Sequence, residues 1–182
     1  MTDTTFSDNQ AREGAGLLNI NNTVSLSNVT FDGNIAEVGG GGLYNDDGAV
    51  TASSVTFSGN AALYGGGYMN VALGSADFVQ VTFSSNTGAA AGSTIHVDSS
   101  QGVASVKGSI VASSVAGGNC SGPVSKGGFN LATDSTRQGF NMVTNAMLDP
   151  LPYNGGLTWT HLPQPGSPAI DFVASACPPP AV

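Results

Sequence analysis

The sequence predicts an all-β fold, a parallel β-helix of about five coils with a period of about 26 residues and an irregular C-terminal cap. Three observations predict it. One phrase is written four times, as "TFSDN" (Thr5 to Asn9), "VTFDGN" (Val29 to Asn34), "VTFSGN" (Val55 to Asn60) and "VTFSSN" (Val81 to Asn86). A second phrase moves in step with it: "GAGLLNI" (Gly14 to Ile20), "GGGLYND" (Gly40 to Asp46), "GGGYMNV" (Gly65 to Val71) and a degenerate "AGSTIHV" (Ala91 to Val97). Two phrases locked at one period mark a stacked repeat. Finally, apolar residues alternate rather than recur at three-four spacing, and β-branched residues and Gly crowd every unit, which excludes a helical repeat.

Each unit holds two or three strands of 4–5 residues between Gly and Asn corners. Val29 and Phe31 share one face and Thr30 takes the other; Val55 with Phe57 and Val81 with Phe83 repeat this. One coil is too thin to fold alone, so successive coils stack in register. At a strand spacing of roughly 4.8 Å, Phe6, Phe31, Phe57 and Phe83 form an interior column. Asn9, Asn34, Asn60 and Asn86 form a corner column whose amides bond up and down the stack. Asn19, Asn45, Asn70 and then His96 are expected to form another. Residues 105–114, "SVKGSIVASS", begin the fifth coil.

Residues 1–116 are therefore read as coils and 117–182 as a final coil with a Pro/Gly-rich cap. "CSGPVSKGGFNLATDS" (120–135) and "LDPLPYNGGLTWTHLPQPGSPAIDF" (148–172) hold too much Gly and Pro for a helix or a central strand. Folded over the last coil, this region would cover strand edges that otherwise recruit other chains. In that setting His161 and Asp171 hydrogen-bond loop backbone, and Trp159 is either a core plug under the cap, the leading reading, or an exposed glycan platform. Because the chain opens inside a repeat, Met1 reads as the start of a fragment. An uncapped first coil is then expected to fray over residues 1–13 or to associate end to end.

The paired "GGxL/Y" and "FxxN" phrases of residues 5–97 resemble the repeats of the polymorphic outer membrane proteins. Those are surface adhesins with right-handed parallel β-helix (solenoid) passengers. Gly16, Gly42 and Gly67 match, and Ser93 departs. Asn154-Gly155-Gly156, Thr158, Thr160-His161 and Gly166 to Asp171 resemble the "choice-of-anchor Q" C-terminal region of secreted bacterial β-helix proteins. In that group a second cysteine follows the "CSG" element shortly; "TDSTRQG" (133–139) has none. Cys120 and Cys177 either pair with each other or stay free.

A chain of 182 residues suits one domain, and its net charge of −8 leaves Arg12, Lys107, Lys126 and Arg137 as the basic residues. That balance excludes nucleic acid and anionic membrane as partners; no apolar run is long enough to insert into a bilayer. Glycans, cell-surface proteins and cations remain. Low Lys and abundant small polar residues point to an extracellular or cell-surface location, with any leader upstream. No GxSxG motif, phosphate loop or His/Cys metal spacing occurs.

Carboxylates are the residual chemistry. Counting at 26/25/26 puts Asn21, Asp47, Ala72 and Asp98 in one column, with Asp47 and Asp98 roughly 9.6 Å apart. This lies at the upper limit for inverting glycosidases, about 6.5–9.5 Å. Asp47, Asp98 and neighbouring His96 are thus the catalytic candidates of a polysaccharide hydrolase. A lyase lacks its base, since residues 13–106 hold no Lys or Arg. Asp46 and Asp47 are the calcium candidates, and Tyr44 and Tyr68 the ligand-binding ones. The leading expectation is a non-catalytic surface or secreted module without a resident cofactor: adhesin-like, binding glycan or protein, or a rigid spacer.

Overall fold

The computed structural model describes residues 1–92, 94–98, 101–112, 118–136, 139–151 and 154–172. Their regular elements are all β-strands. The first turn holds β1 (Thr2–Ser7), β2 (Gln10–Glu13), β3 (Leu17–Ile20) and the start of β4 (Thr23–Asp32). The second continues through β5 (Ile35–Gly39), β6 (Leu43–Asp46) and β7 (Ala49–Ser53). The third is β8 (Thr56–Ser58), β9 (Ala61–Tyr64), β10 (Tyr68–Val71) and β11 (Ser75–Val79). The fourth is β12 (Thr82–Ser84), β13 (Thr87–Ala91), β14 (Ile95–Val97) and β15 (Val103–Lys107). Beyond it lie β16 (Ile110–Ala112), β17 (Cys120–Ser121), β18 (Val124–Lys126), β19 (Leu131–Ala132) and β20 (Asn141–Met142).

Every strand pairs in parallel with its counterpart one turn away, as in Phe31↔Phe57 and Phe57↔Phe83. The strands make sheets of 11, 5 and 4 strands; the largest bends through β4, whose first half pairs β7 and whose second half pairs β8. The four strands β2, β5, β9 and β13 count about four complete turns rather than the expected five, with short strands extending the stack. Each turn also has four arms, not two or three. Single left-handed residues make the corners, in vertical files such as Asp8, Gly33, Gly59 and Ser85, or Gly14, Gly40, Gly65 and Gly92 (φ 55–63° and 54–62°). One such residue turns the chain without lengthening the repeat.

The interior is as expected. Phe6, Phe31, Phe57 and Phe83 stack with centroids 5.1, 4.8 and 4.8 Å apart. The two recurring phrases touch: a Cβ on Gly42 would fall 2.7 Å from Phe57 Cδ1, and one on Gly16 2.7 Å from Phe31 Cδ1. In the corner column, the amides of Asn34 and Asn60 each donate to the next Asn Oδ1 and to the preceding Phe carbonyl, all at 2.9 Å; Asn9 makes the first of these bonds and Asn86 the second. Asn19, Asn45 and Asn70 form the second column at 2.7 and 2.8 Å. It ends there. Tyr68 pairs with Ile95 and Asn70 with Val97, so Val97, not His96, continues it. The cause is a bulge in β13: Gly88 pairs with Ala62, but Ala91 pairs with Tyr64, which inserts one residue.

In the C-terminal third, β17, β18 and β19 pair with β14, β15 and β16, continuing the stack past residue 116. The chain then doubles back along the flank, with Asp149 N–H donating to the Leu162 carbonyl at 2.8 Å. Thr30 Oγ1 donates to the Trp159 carbonyl at 2.7 Å, and His161 Nε2 lies 3.1 Å from Ser58 Oγ. The strap buries outward-facing Thr30, Thr56, Ser58 and Ser84. Burial, and then the nearby Asp8 carboxylate, push the Asp32 carboxyl up. The chain around Asp149 and Leu162 thus runs as a lateral strap along the flank. His161 does bond loop backbone, with Nδ1 2.6 Å from the Asp149 carbonyl. Trp159 is no core plug: 38 % of it is exposed. Cys120 is buried, and Cys177 lies outside the described residues.

Candidate functional site

At the corner file of Gly14, Gly40, Gly65 and Gly92 the outer faces of two sheets converge. A Cβ at Gly40 would sit 2.5 Å from the Leu43 carbonyl oxygen and 2.7 Å from Tyr44 Cα, so the chain folds tightly back on itself there. Alternation sends Leu43, Asn45 and Tyr68 inward and Tyr44, Asp46 and Met69 outward. The outer column on one arm is therefore Leu18, Tyr44, Met69 and His96; facing it stand Glu13, Gly39, Tyr64 and Ala91. Their side chains meet across the corner. Tyr64 and His96 have ring centroids 5.2 Å apart, and Met69 sulfur fills the place a Gly39 Cβ would take.

The electrostatics follow from this convergence. Partial burial raises the Tyr44 phenol pKa first, and the Glu13 and Asp46 carboxylates add to it. Burial lowers the His96 pKa, with the Asp98 carboxylate opposing the shift. His96 Nδ1 is buried without a hydrogen-bond partner among the described residues. A lowered histidine pKa means the folded state resists protonation. Its contribution is present above the ordinary value of about 6.5 and is lost as pH falls from there through the lowered folded value. Acidification through that window should lower the thermal midpoint less in His96→Gln than in the parent chain. Parallel midpoint–pH curves for the two proteins would show His96 to be indifferent.

Several sequence candidates land here and others do not. Tyr44, Asp46, His96 and Asp98 line the corner. The bulge in β13 puts Asp98 in register with Val71 and Asp46, so Asp47 does not share its column. Asp47 is an exposed residue at the next corner, with φ 54°, in file with Asn21 and Ala72. Asp46 and Asp47 gather no third ligating side chain, since no cluster of three or more metal-ligating groups occurs among the described residues.

Tyr68 is no surface ligand-binder. It is fully buried, edge-on to Phe78 at 4.9 Å. Burial raises its phenol pKa, nearby Asn45 offsetting part of this, yet the hydroxyl has no hydrogen bond within range. Tyr68→Phe should therefore stabilise the protein by about 1 kcal/mol, relieving a stranded hydroxyl. A fall in denaturation midpoint would contradict this. Glu13 and Tyr64 escaped the sequence reading because they sit on the facing arm, and Met69 because it replaces an aromatic ring in the Tyr44 column. The signal was their position beside or just after the glycine corner.

Residues 28–46 match the Chlamydia polymorphic membrane protein repeat. That segment carries the glycine corner, Tyr44 and Asp46. No curated protein and no solved structure matches the chain. No helix among the described residues is long and apolar enough to cross a membrane.

Proposed function

We propose that the chain is a non-catalytic, adhesin-like β-helix module of a cell surface, which holds a glycan or protein ligand on this outer corner. The repeat match at residues 28–46 supports the adhesin-like reading. The observation that carries the site is the convergence of half-buried Tyr44, Tyr64 and His96 on two outer faces that would otherwise diverge. Interior columns account for the recurring Phe and Asn; nothing in the stack requires aromatic rings outside it.

The hydrolase reading is weaker. Asp46 and Asp98 share a column two turns apart, but half-buried Val71 stands between them. An inverting pair needs room between its carboxylates for a sugar and a water, and Val71 occupies that interval.

Adhesion of the full chain to cells, with a glycan array and a polysaccharide depolymerisation screen alongside, tests the proposal. Binding lost in Tyr44→Ala with Tyr64→Ala, at unchanged thermal midpoint, supports it. Depolymerisation that disappears in Asp98→Asn would replace it with the enzyme.

A further inference from the structure

We infer that the outer corner binds an extended basic segment of a partner protein, through two Lys or Arg side chains three residues apart. This rests on the reading of the chain as a surface binding module. Two acidic–aromatic couples line the corner. In one, Tyr44 has Glu13 on the facing arm and Asp46 on its own strand. In the other, the rings of Tyr64 and His96 stand together, with Asp98 at the end of the His96 strand. Asp46 and Asp98 are two strand spacings apart, roughly 9.6 Å. In polyproline II conformation, extended by about 3.1 Å per residue, three residues make one turn and cover about 9.3 Å, so side chains three apart point the same way. A segment lying along the stack therefore places every third side chain at a couple.

The chemistry favours a cation. A Lys or Arg head over a tyrosine face and beside a carboxylate gains from both. Exposed Leu18 offers apolar surface to its methylene stem. One guanidinium already fits at the lip: Arg12 Nη1 donates to Glu13 Oε1 at 2.8 Å, with its own side chain 71 % exposed. A chain of net charge −8 with four basic residues cannot supply many cations itself, and its field draws them from outside. A neutral glycan could donate its hydroxyls to these carboxylates but would leave their charge unpaired, whereas a cation pairs it.

Fluorescence anisotropy of a labelled extended peptide carrying two arginines three residues apart is the test, on the full chain. Binding should weaken with added salt and vanish when both arginines become glutamine. Asp46→Asn combined with Asp98→Asn should weaken it about tenfold, at an unchanged thermal midpoint. No binding, or binding indifferent to those substitutions, overturns the inference. So does a neutral oligosaccharide that binds and competes at Tyr44, which would leave the surface-module reading standing. Peptide binding without adhesion to cells would do the reverse, sinking the adhesin reading and keeping the corner chemistry.

Discussion

Phe57→Ala should destabilise the protein by about 5 kcal/mol, the upper end of large-to-small core substitutions. Phe57 is fully buried and sandwiched between Phe31 and Phe83, each 4.8 Å away, with Phe78 edge-on at 6.2 Å. The substitution removes the transfer energy of one ring and three aromatic pairs worth roughly 0.5–1.5 kcal/mol each. The void cannot close, because the strands above and below are fixed at one spacing by backbone hydrogen bonds and by the Asn column. Position in the stack should grade the effect. Phe83 has Val111 on its far side, and Phe6 is only partly buried, so the order Phe57 > Phe83 > Phe6 is expected. Guanidinium denaturation measures it. A loss under about 1 kcal/mol at Phe57 would mean that the ring does not bear on its neighbours.

The Phe and Asn columns were legible because side-chain chemistry and period agree there. Gly42 must lack a side chain because Phe57 lies against it, and Gly16 because of Phe31. Where the phenylalanine of the next turn becomes Val111, the corresponding glycine becomes Thr94. That compensation was visible in the sequence, and it marks Thr94, not Ser93, as the matching position. The register error came from counting residues across "TGAAA", where small side chains fit a regular strand and a bulge equally well. Alternation held the correction: Ile95 and Val97 are both apolar and both buried, which sends His96 outward. The strap was illegible for another reason. It docks through isolated polar contacts such as Thr30 with Trp159, 129 residues apart, and no periodicity announces those.

Asn60→Ala should cost roughly 3–6 kcal/mol without removing any apolar surface. The Asn60 side chain is completely buried and all its hydrogen-bonding capacity is used. Its Nδ2 donates to Asn86 Oδ1 and to the Phe31 carbonyl, both at 2.9 Å. Its Oδ1 accepts from Asn34 Nδ2 at 2.9 Å and from the Asn34 backbone N–H at 3.0 Å. Truncation strands the Asn34 backbone N–H and one Asn34 amide proton, at about 1–3 kcal/mol for each buried orphan, and takes one donor from the Phe31 carbonyl. Asn60→Asp separates this account from simple loss of volume. A carboxylate still accepts from Asn34, but it donates nothing and faces the lone pairs of Phe31 and Asn86. Its pKa in the folded state must rise, since burial penalises the charged form. A raised carboxyl pKa means that stability is lost as pH rises. Asn60→Asp should thus be closer to the parent chain at about pH 4 than at pH 7, because the protonated acid regains one donor. Urea midpoints of the two proteins at both pH values decide it. If the gap between them stayed constant with pH, Asn60 would not hold the ladder together through its amide.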